Sequence, residues 1–164
     1  MKRLWAPWRM TYVASAGNPP LDPAGCIFCE ALTAGDDRGA LILRRAPLAF
    51  LILNKFPYAS GHVMAVVTRH VGTFEEATSD ELGQSMDLVQ AAVRALRSAY
   101  HPDGFNLGAN QGRVAGAGVL GHLHLHVVPR WNGDTNFMPV IGDTRVLPET
   151  LDTTYDRLTA ALGA

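Results

Sequence analysis

The chain has 164 residues, 48% of them hydrophobic and 18% charged, with a formal net charge of −1. That length and balance fit about one globular domain with a real core, and the near-zero charge gives no basis for general affinity to DNA or RNA backbones. A polyanionic ligand must be met locally, by backbone amides, histidines and a few cations.

Met1–Met10 carries Lys2, Arg3 and Arg9 without a long apolar core, so it does not read as a signal peptide. Leu4-Trp5-Ala6-Pro7-Trp8-Arg9 places two of the three tryptophans in an aromatic arm of the kind that packs on a body or across a dimer seam. Asn18–Pro23 is an extended linker by its prolines, and it completes an N-terminal arm over 1–24. Two cysteines without a leader fit a reducing compartment, and the longest apolar runs are far too short for a membrane span. A cytoplasmic protein without membrane contact is expected.

After Cys26-Ile27-Phe28-Cys29, residues 31–39 read as a short helix fading into a turn. Residues 40–44 and 48–53 read as strands, Asn54–Gly61 as a loop, and residues 62–68 as a strongly apolar strand ending in Arg69-His70. With Ser79 as N-cap, Leu82, Met86, Val89, Ala92, Val93 and Leu96 recur at helical spacing. That long helix should stop near Tyr100-His101, because Pro102 disfavours helix at the residue before it. Residues 105–109 form a short strand, residues 110–121 a glycine-rich segment, and residues 148–162 a closing helix. Antiparallel strands with one long helix predict an α+β domain spanning 1–164, with a sheet of about five strands.

The stretch Gly121-His122-Leu123-His124-Leu125-His126-Val127-Val128 holds three of the six histidines at two-residue spacing. In a strand the three imidazoles share one face, about 6–7 Å apart, while Leu123, Leu125 and Val127 face a core. A single three-histidine metal site is disfavoured, because the outer alpha carbons stand about 13 Å apart and zinc–nitrogen bonds are about 2.1 Å. His124, flanked by imidazoles on both sides, is the natural candidate for chemistry. The adjacent glycines can turn backbone N–H groups toward an anion, and Asn110 adds a neutral amide.

Cys26-x-x-Cys29 leaves three readings open: a redox pair, two buried unlinked thiols, or half of a metal site. A metal would need histidines, and His70 and His122 are best placed. If their strands run antiparallel as neighbours, His70 and His122 lie at one end of the pair, with His62 and His126 toward the other. Arg130 is either near the active face or a surface cation.

His-Leu-His-Leu-His-Val-Val resembles the signature of the histidine-triad nucleotide hydrolases and transferases. The likeness extends to Asn54-x-x-Pro57-x-x-x-Gly61-His62 and Asn110-x-Gly112-x-x-Ala115-Gly116. Leu4-Trp5-x-Pro7-Trp8-Arg9, Cys26-Ile27-Phe28-Cys29 and Pro129-Arg130-Trp131-x-Gly133-Asp134-x-Asn136-Phe137 are similar to the family's bacterial diadenosine tetraphosphate phosphorylases. The resemblance implies a homodimer that cleaves dinucleoside polyphosphates. His124 is the nucleophile in that scheme, and a nucleotidyl-histidine forms on it. His126, His62, Asn110 and the amides of Gly116, Ala117 and Gly118 serve the phosphoryl oxygens. Asn54 would meet the ribose, and Ile27 and Phe28 the base. It also implies structural zinc on Cys26, Cys29, His70 and His122, with no organic cofactor. Phosphate is the implied acceptor, so diadenosine tetraphosphate yields ATP and ADP. A hydrolase or phosphoramidase using water, or a nucleotide-binding module without turnover, remains the alternative. Two departures bear on this: Ala117-Gly118 stands where many members have Gly-Gln, and Gly121 where the phosphorylases tend to have an acid.

Overall fold

Strict alternation along β-strands builds the layer on which everything else rests. In the computed structural model, residues 23–134 and 149–163 are described. The tryptophan arm, most of the proline linker, and the Asn136-Phe137 pair lie outside the described residues. Strands β1 (Ile42–Arg45), β2 (Ala49–Leu53), β3 (Val63–Val67), β4 (Gly104–Gly108) and β5 (His124–Arg130) form an antiparallel sheet of order β1-β2-β3-β5-β4. The α+β architecture read from the sequence is the one observed.

Helices α2 (Ser79–Tyr100) and α3 (Leu151–Gly163) cover one face of this sheet. Leu51, Leu53, Val63, Ala65, Leu125 and Val127 point into that core and meet Leu88, Ala92, Leu96 and Leu158. The alternate residues Phe50, Ile52, Met64 and Val66 point the other way, onto Cys26 and Phe28. Both faces of β2 and β3 are thus buried, which explains their unbroken apolar runs.

Helix α2 starts one residue earlier than Ser79 suggests. Thr78 is its N-cap and accepts from the Glu81 N–H, while the Glu81 carboxylate accepts from the Thr78 N–H. Glu81 also takes a bidentate hydrogen bond from Arg69, which, as the leading cause, holds its carboxyl down at about 2. The helix ends as expected: His101 sits in the left-handed region at φ 48° just before Pro102.

The first helix departs from the sequence reading. Helix α1 spans Ile27–Thr33, so it begins four residues before the expected start at Ala31 and is over before Gly39. Cys26 occupies its N-cap and Cys29 lies within its first turn. Apolar periodicity was not informative in so short an element, because Ile27 is exposed while Phe28 and Cys26 are buried.

Candidate functional site

The register of β3 and β5 sorts the histidines. Val66 pairs with His124, Met64 with His126 and Val63 with Val127, which puts His62 beside His126 at one end of the ladder. His122 precedes the regular strand. Its side chain lies on the same face, and its Nε2–H donates to the Val67 carbonyl at 2.6 Å.

At the His122 end, four donor atoms converge from three parts of the chain. The ligating atoms of Cys26, Cys29, His70 and His122 all lie within 4.8 Å of one another. Cys26 Sγ is 3.3 Å from His122 Nδ1, Cys29 Sγ is 3.3 Å from His70 Nδ1, and Cys29 Sγ is 3.6 Å from His122 Nδ1. The Val67 carbonyl takes the Nε2 proton of neutral His122, so Nδ1 presents a lone pair to the thiols. Burial pushes the Cys29 thiol up to about 11, with Cys26 adding to the effect. Burial likewise lowers His122. The cysteine pair stands at a helix start, a setting in which redox pairs occur. Two imidazoles aimed at it favour a shared cation.

Phe28 is 2% exposed and packs against the His122 end of the row. Its ring lies 5.3 Å from His122 and 5.1 Å from His124, centroid to centroid. The structure thus buries Phe28 behind the histidines, whereas Ile27 is 57% exposed.

His124 is fixed by its own strand. Its Nδ1 donates to the His122 carbonyl at 2.7 Å, so the Nε2 lone pair is left for chemistry. Burial lowers its pKa below that of a free imidazole, keeping the ring neutral at pH 7.

His126 and His62 form a directed chain. The Tyr58 backbone N–H donates to His62 Nδ1 at 3.1 Å. Neutral His62 therefore carries its proton on Nε2, which lies 2.9 Å from His126 Nδ1. His126 in turn holds its proton on Nε2. Burial, followed by the neighbouring His124, pushes His126 down to about 4. Asn54 braces the same chain: its Oδ1 accepts from the Phe56 N–H at 2.9 Å and its Nδ2 lies 3.3 Å from His62 Nδ1.

The glycine-rich segment folds into a tight turn around a short 3-10 helix at Arg113–Ala115. Gly112 and Gly116 adopt φ of 85° and 88°, a region that favours glycine. The Gly116 and Ala117 amides close this turn onto the Arg113 and Gly112 carbonyls. Asn110 Nδ2 approaches the Gly116 carbonyl at 3.5 Å. Arg130 is committed elsewhere, to Asp134 and Asn106.

Sequence reasoning passed over Tyr58, whose ring lies 4.7 Å from that of His62 and 6.0 Å from that of His126. The signal was there: Phe56 and Tyr58 bracket Pro57 in the loop that feeds His62. The Val67 and His122 carbonyls carry no side-chain signal at all.

Residues 38–133 match the sequence model of the HIT domain. The chain belongs to the histidine-triad (HIT) family. It is 40% identical over 156 residues to an AP-4-A phosphorylase of Mycobacterium tuberculosis, covering 92% of this chain and 79% of that one. "Protein hit" of Bacillus subtilis is 32% identical, covering 68% of this chain and 75% of the relative. Among solved structures, a Zn-bound histidine triad family protein from Mycobacterium smegmatis superposes with a TM-score of 0.70 at 26% identity. That match covers 87% of this chain and 96% of the other. No helix among the described residues is long and apolar enough to cross a membrane.

Proposed function

We propose that this protein cleaves dinucleoside polyphosphates, passing a nucleotidyl group through His124 to inorganic phosphate. The observation that carries this reading is the 2.7 Å bond from His124 Nδ1 to the His122 carbonyl. It leaves a neutral imidazole with Nε2 as its nucleophilic edge. The 40% identity to an AP-4-A phosphorylase supports the substrate class.

In the proposed reaction, the His124 Nε2 lone pair attacks the α-phosphorus, and the bond to the bridging oxygen breaks. From diadenosine tetraphosphate the leaving group is ATP, which departs as its anion and needs no proton. His126, holding its proton on Nε2 through His62 and the Tyr58 amide, hydrogen-bonds the departing oxygen. The retained Nδ1 proton makes the adenylylated ring an imidazolium, with the His122 carbonyl as its acceptor. A phosphate oxygen then attacks phosphorus, the P–N bond breaks, and ADP is released with the lone pair restored to Nε2. Because the Gly116 and Ala117 amides close their own turn, the Gly118 N–H and the Asn110 amide are the groups left to meet the phosphoryl oxygens. Asn54 is assigned to the ribose and exposed Ile27 to the base, with buried Phe28 lending its edge from behind His124.

The donor set at the other end of the row fits zinc. Two thiols and two imidazoles suit that ion, and a tetrahedron with bonds of about 2.0–2.3 Å has edges of about 3.3–3.8 Å; the Cys26–His122, Cys29–His70 and Cys29–His122 pairs lie at 3.3–3.6 Å, and all four donors lie within 4.8 Å of one another. A bound zinc would neutralise the two thiolates and tie α1 to the His70 and His122 ends of β3 and β5. A homodimer in the cytoplasm completes the reading.

The test is product analysis after incubation with diadenosine tetraphosphate, with and without phosphate. ADP and ATP formed only when phosphate is present support the phosphorylase. AMP and ATP regardless of phosphate would instead identify a hydrolase, the reading that Gly121 in place of an acid keeps in view. Binding with no turnover would identify a nucleotide-binding module. The variant His124→Ala is expected to bind nucleotide and not turn over; retained turnover would remove His124 from the nucleophilic role.

A further inference from the structure

The histidine row has a direction. α1 stands at its His122 end, and the groups that meet the departing oxygen, His126 and His62, stand at the other. Beyond them lies the loop between β2 and β3, and its side chains are unusual for a surface turn. Phe56 is 75% exposed and Tyr58 is 48% exposed. Tyr58 leans on His62 at 4.7 Å between ring centroids and a 32° interplanar angle. It reaches to 6.0 Å from His126. Two exposed aromatics carry a cost in water, and here the backbone holds them in place. The Tyr58 N–H is anchored on His62 Nδ1 and the Phe56 N–H on Asn54 Oδ1.

From this arrangement we infer that Tyr58, assisted by Phe56, is a stacking platform for the nucleoside of the leaving group, a second base-binding subsite distinct from the one at Ile27. Aromatic side chains stack on bases of any identity, because every base has a π-face. A ring already leaning on the histidine beside the scissile oxygen is positioned to take the base at the far end of the departing polyphosphate. The inference rests on the proposed cleavage at His124. It adds a reason for preferring substrates with a nucleoside at both ends over a nucleoside polyphosphate ending in bare phosphate.

The side chain can be tested apart from the catalytic chain, since Tyr58 holds His62 through its backbone amide, which Tyr58→Ala retains. Diadenosine tetraphosphate is compared with adenosine 5′-tetraphosphate, which has the same phosphates and one nucleoside fewer. In kcat/KM, Tyr58→Ala is expected to lower the preference for the dinucleotide about tenfold, Phe56→Ala by a smaller factor, and Tyr58→Phe to restore it. An equal loss on both substrates would overturn the platform, because Tyr58 would then be acting through His62. An unchanged preference would overturn it as well. The same ratio is read in equilibrium binding on a His124→Ala background. If the wild-type protein turns over neither substrate, the proposed function fails. The platform is then judged by that binding ratio: a dinucleotide preference that Tyr58→Ala erases supports it, and no preference sinks it.

Discussion

The depressed pKa of His126 makes a quantitative claim about stability. The native ring titrates at about 4, against about 6.5 in the unfolded chain. Above pH 6.5 both states hold the ring neutral, so its contribution is fully present. As the pH falls, the unfolded chain takes up a proton that the native site refuses, and stability is lost until the native ring titrates too. Between pH 7 and pH 4.5 this linkage is worth about 2 to 3 kcal/mol, from about 1.4 kcal/mol per pH unit over the window between the two values. The perturbation is His126→Gln, whose amide oxygen can still accept from His62 Nε2–H and which does not titrate. Urea unfolding of both proteins at pH 7 and pH 4.5 gives the difference. Wild type should lose about 2 to 3 kcal/mol more than the variant, roughly a 1 M larger shift in midpoint. Parallel losses within about 0.5 kcal/mol would refute the claim that burial keeps His126 neutral.

Three further outcomes follow from the same geometry. Purified protein should carry one zinc per chain, lost with Cys26→Ser or Cys29→Ser, and chelation should lower Tm by about 10 °C if the ion contributes a few kcal/mol; metal analysis with thermal melts checks this, and a metal-free protein with an unshifted Tm would defeat it. Gly61→Ala puts a side chain at φ 79° with its Cβ 2.7 Å from Leu96 Cδ2. It should cost about 1–3 kcal/mol in denaturant unfolding and, because His62 is the next residue, reduce kcat as well. Glu81→Ala removes the carboxylate half of the capping box and the partner of half-exposed Arg69, while the residue 81 N–H can still donate to the Thr78 hydroxyl, for an expected loss of about 2 kcal/mol. That stabilisation is present above pH 4.5 and lost as the pH falls toward 2, so the wild-type and Glu81→Ala curves should converge in acid.

The sheet was legible because its physics is repetitive. Alternation along Leu123–Val127 assigned the aliphatic side chains to the core and the histidines to the opposite face, and residues 49–53 and 63–67 were apolar enough to be read as strands. One assumption, that the third and fifth strands are antiparallel neighbours, was enough to bring His70 to His122 and His62 to His126, as the register has it. Helix α1 was not legible in the same way, because seven residues give too few turns for a period to emerge. What starts it is Cys26 at the N-cap, a residue without a side-chain capping bond, so no capping pattern marked the spot.

The chemistry inside the row was less legible than its location, for a reason that lies in the backbone. Three histidines two residues apart are equivalent in sequence, yet each has a different hydrogen-bond partner. His122 donates to the Val67 carbonyl across the ladder, His124 donates to the carbonyl of His122 in its own strand, and His126 accepts from the ring of His62. These acceptors decide which nitrogen is left bare: Nδ1 at His122, facing the cysteines, and Nε2 at His124. The proposed division of labour between a metal ligand and a nucleophile therefore rests on the positions of two peptide carbonyls. A side-chain substitution at Val67 leaves its carbonyl in place, so Val67→Ala should lower stability through its packing while the His122 tautomer, read from 15N imidazole shifts, stays the same. A change of tautomer in that variant would mean that packing, and not the carbonyl, orients the ring.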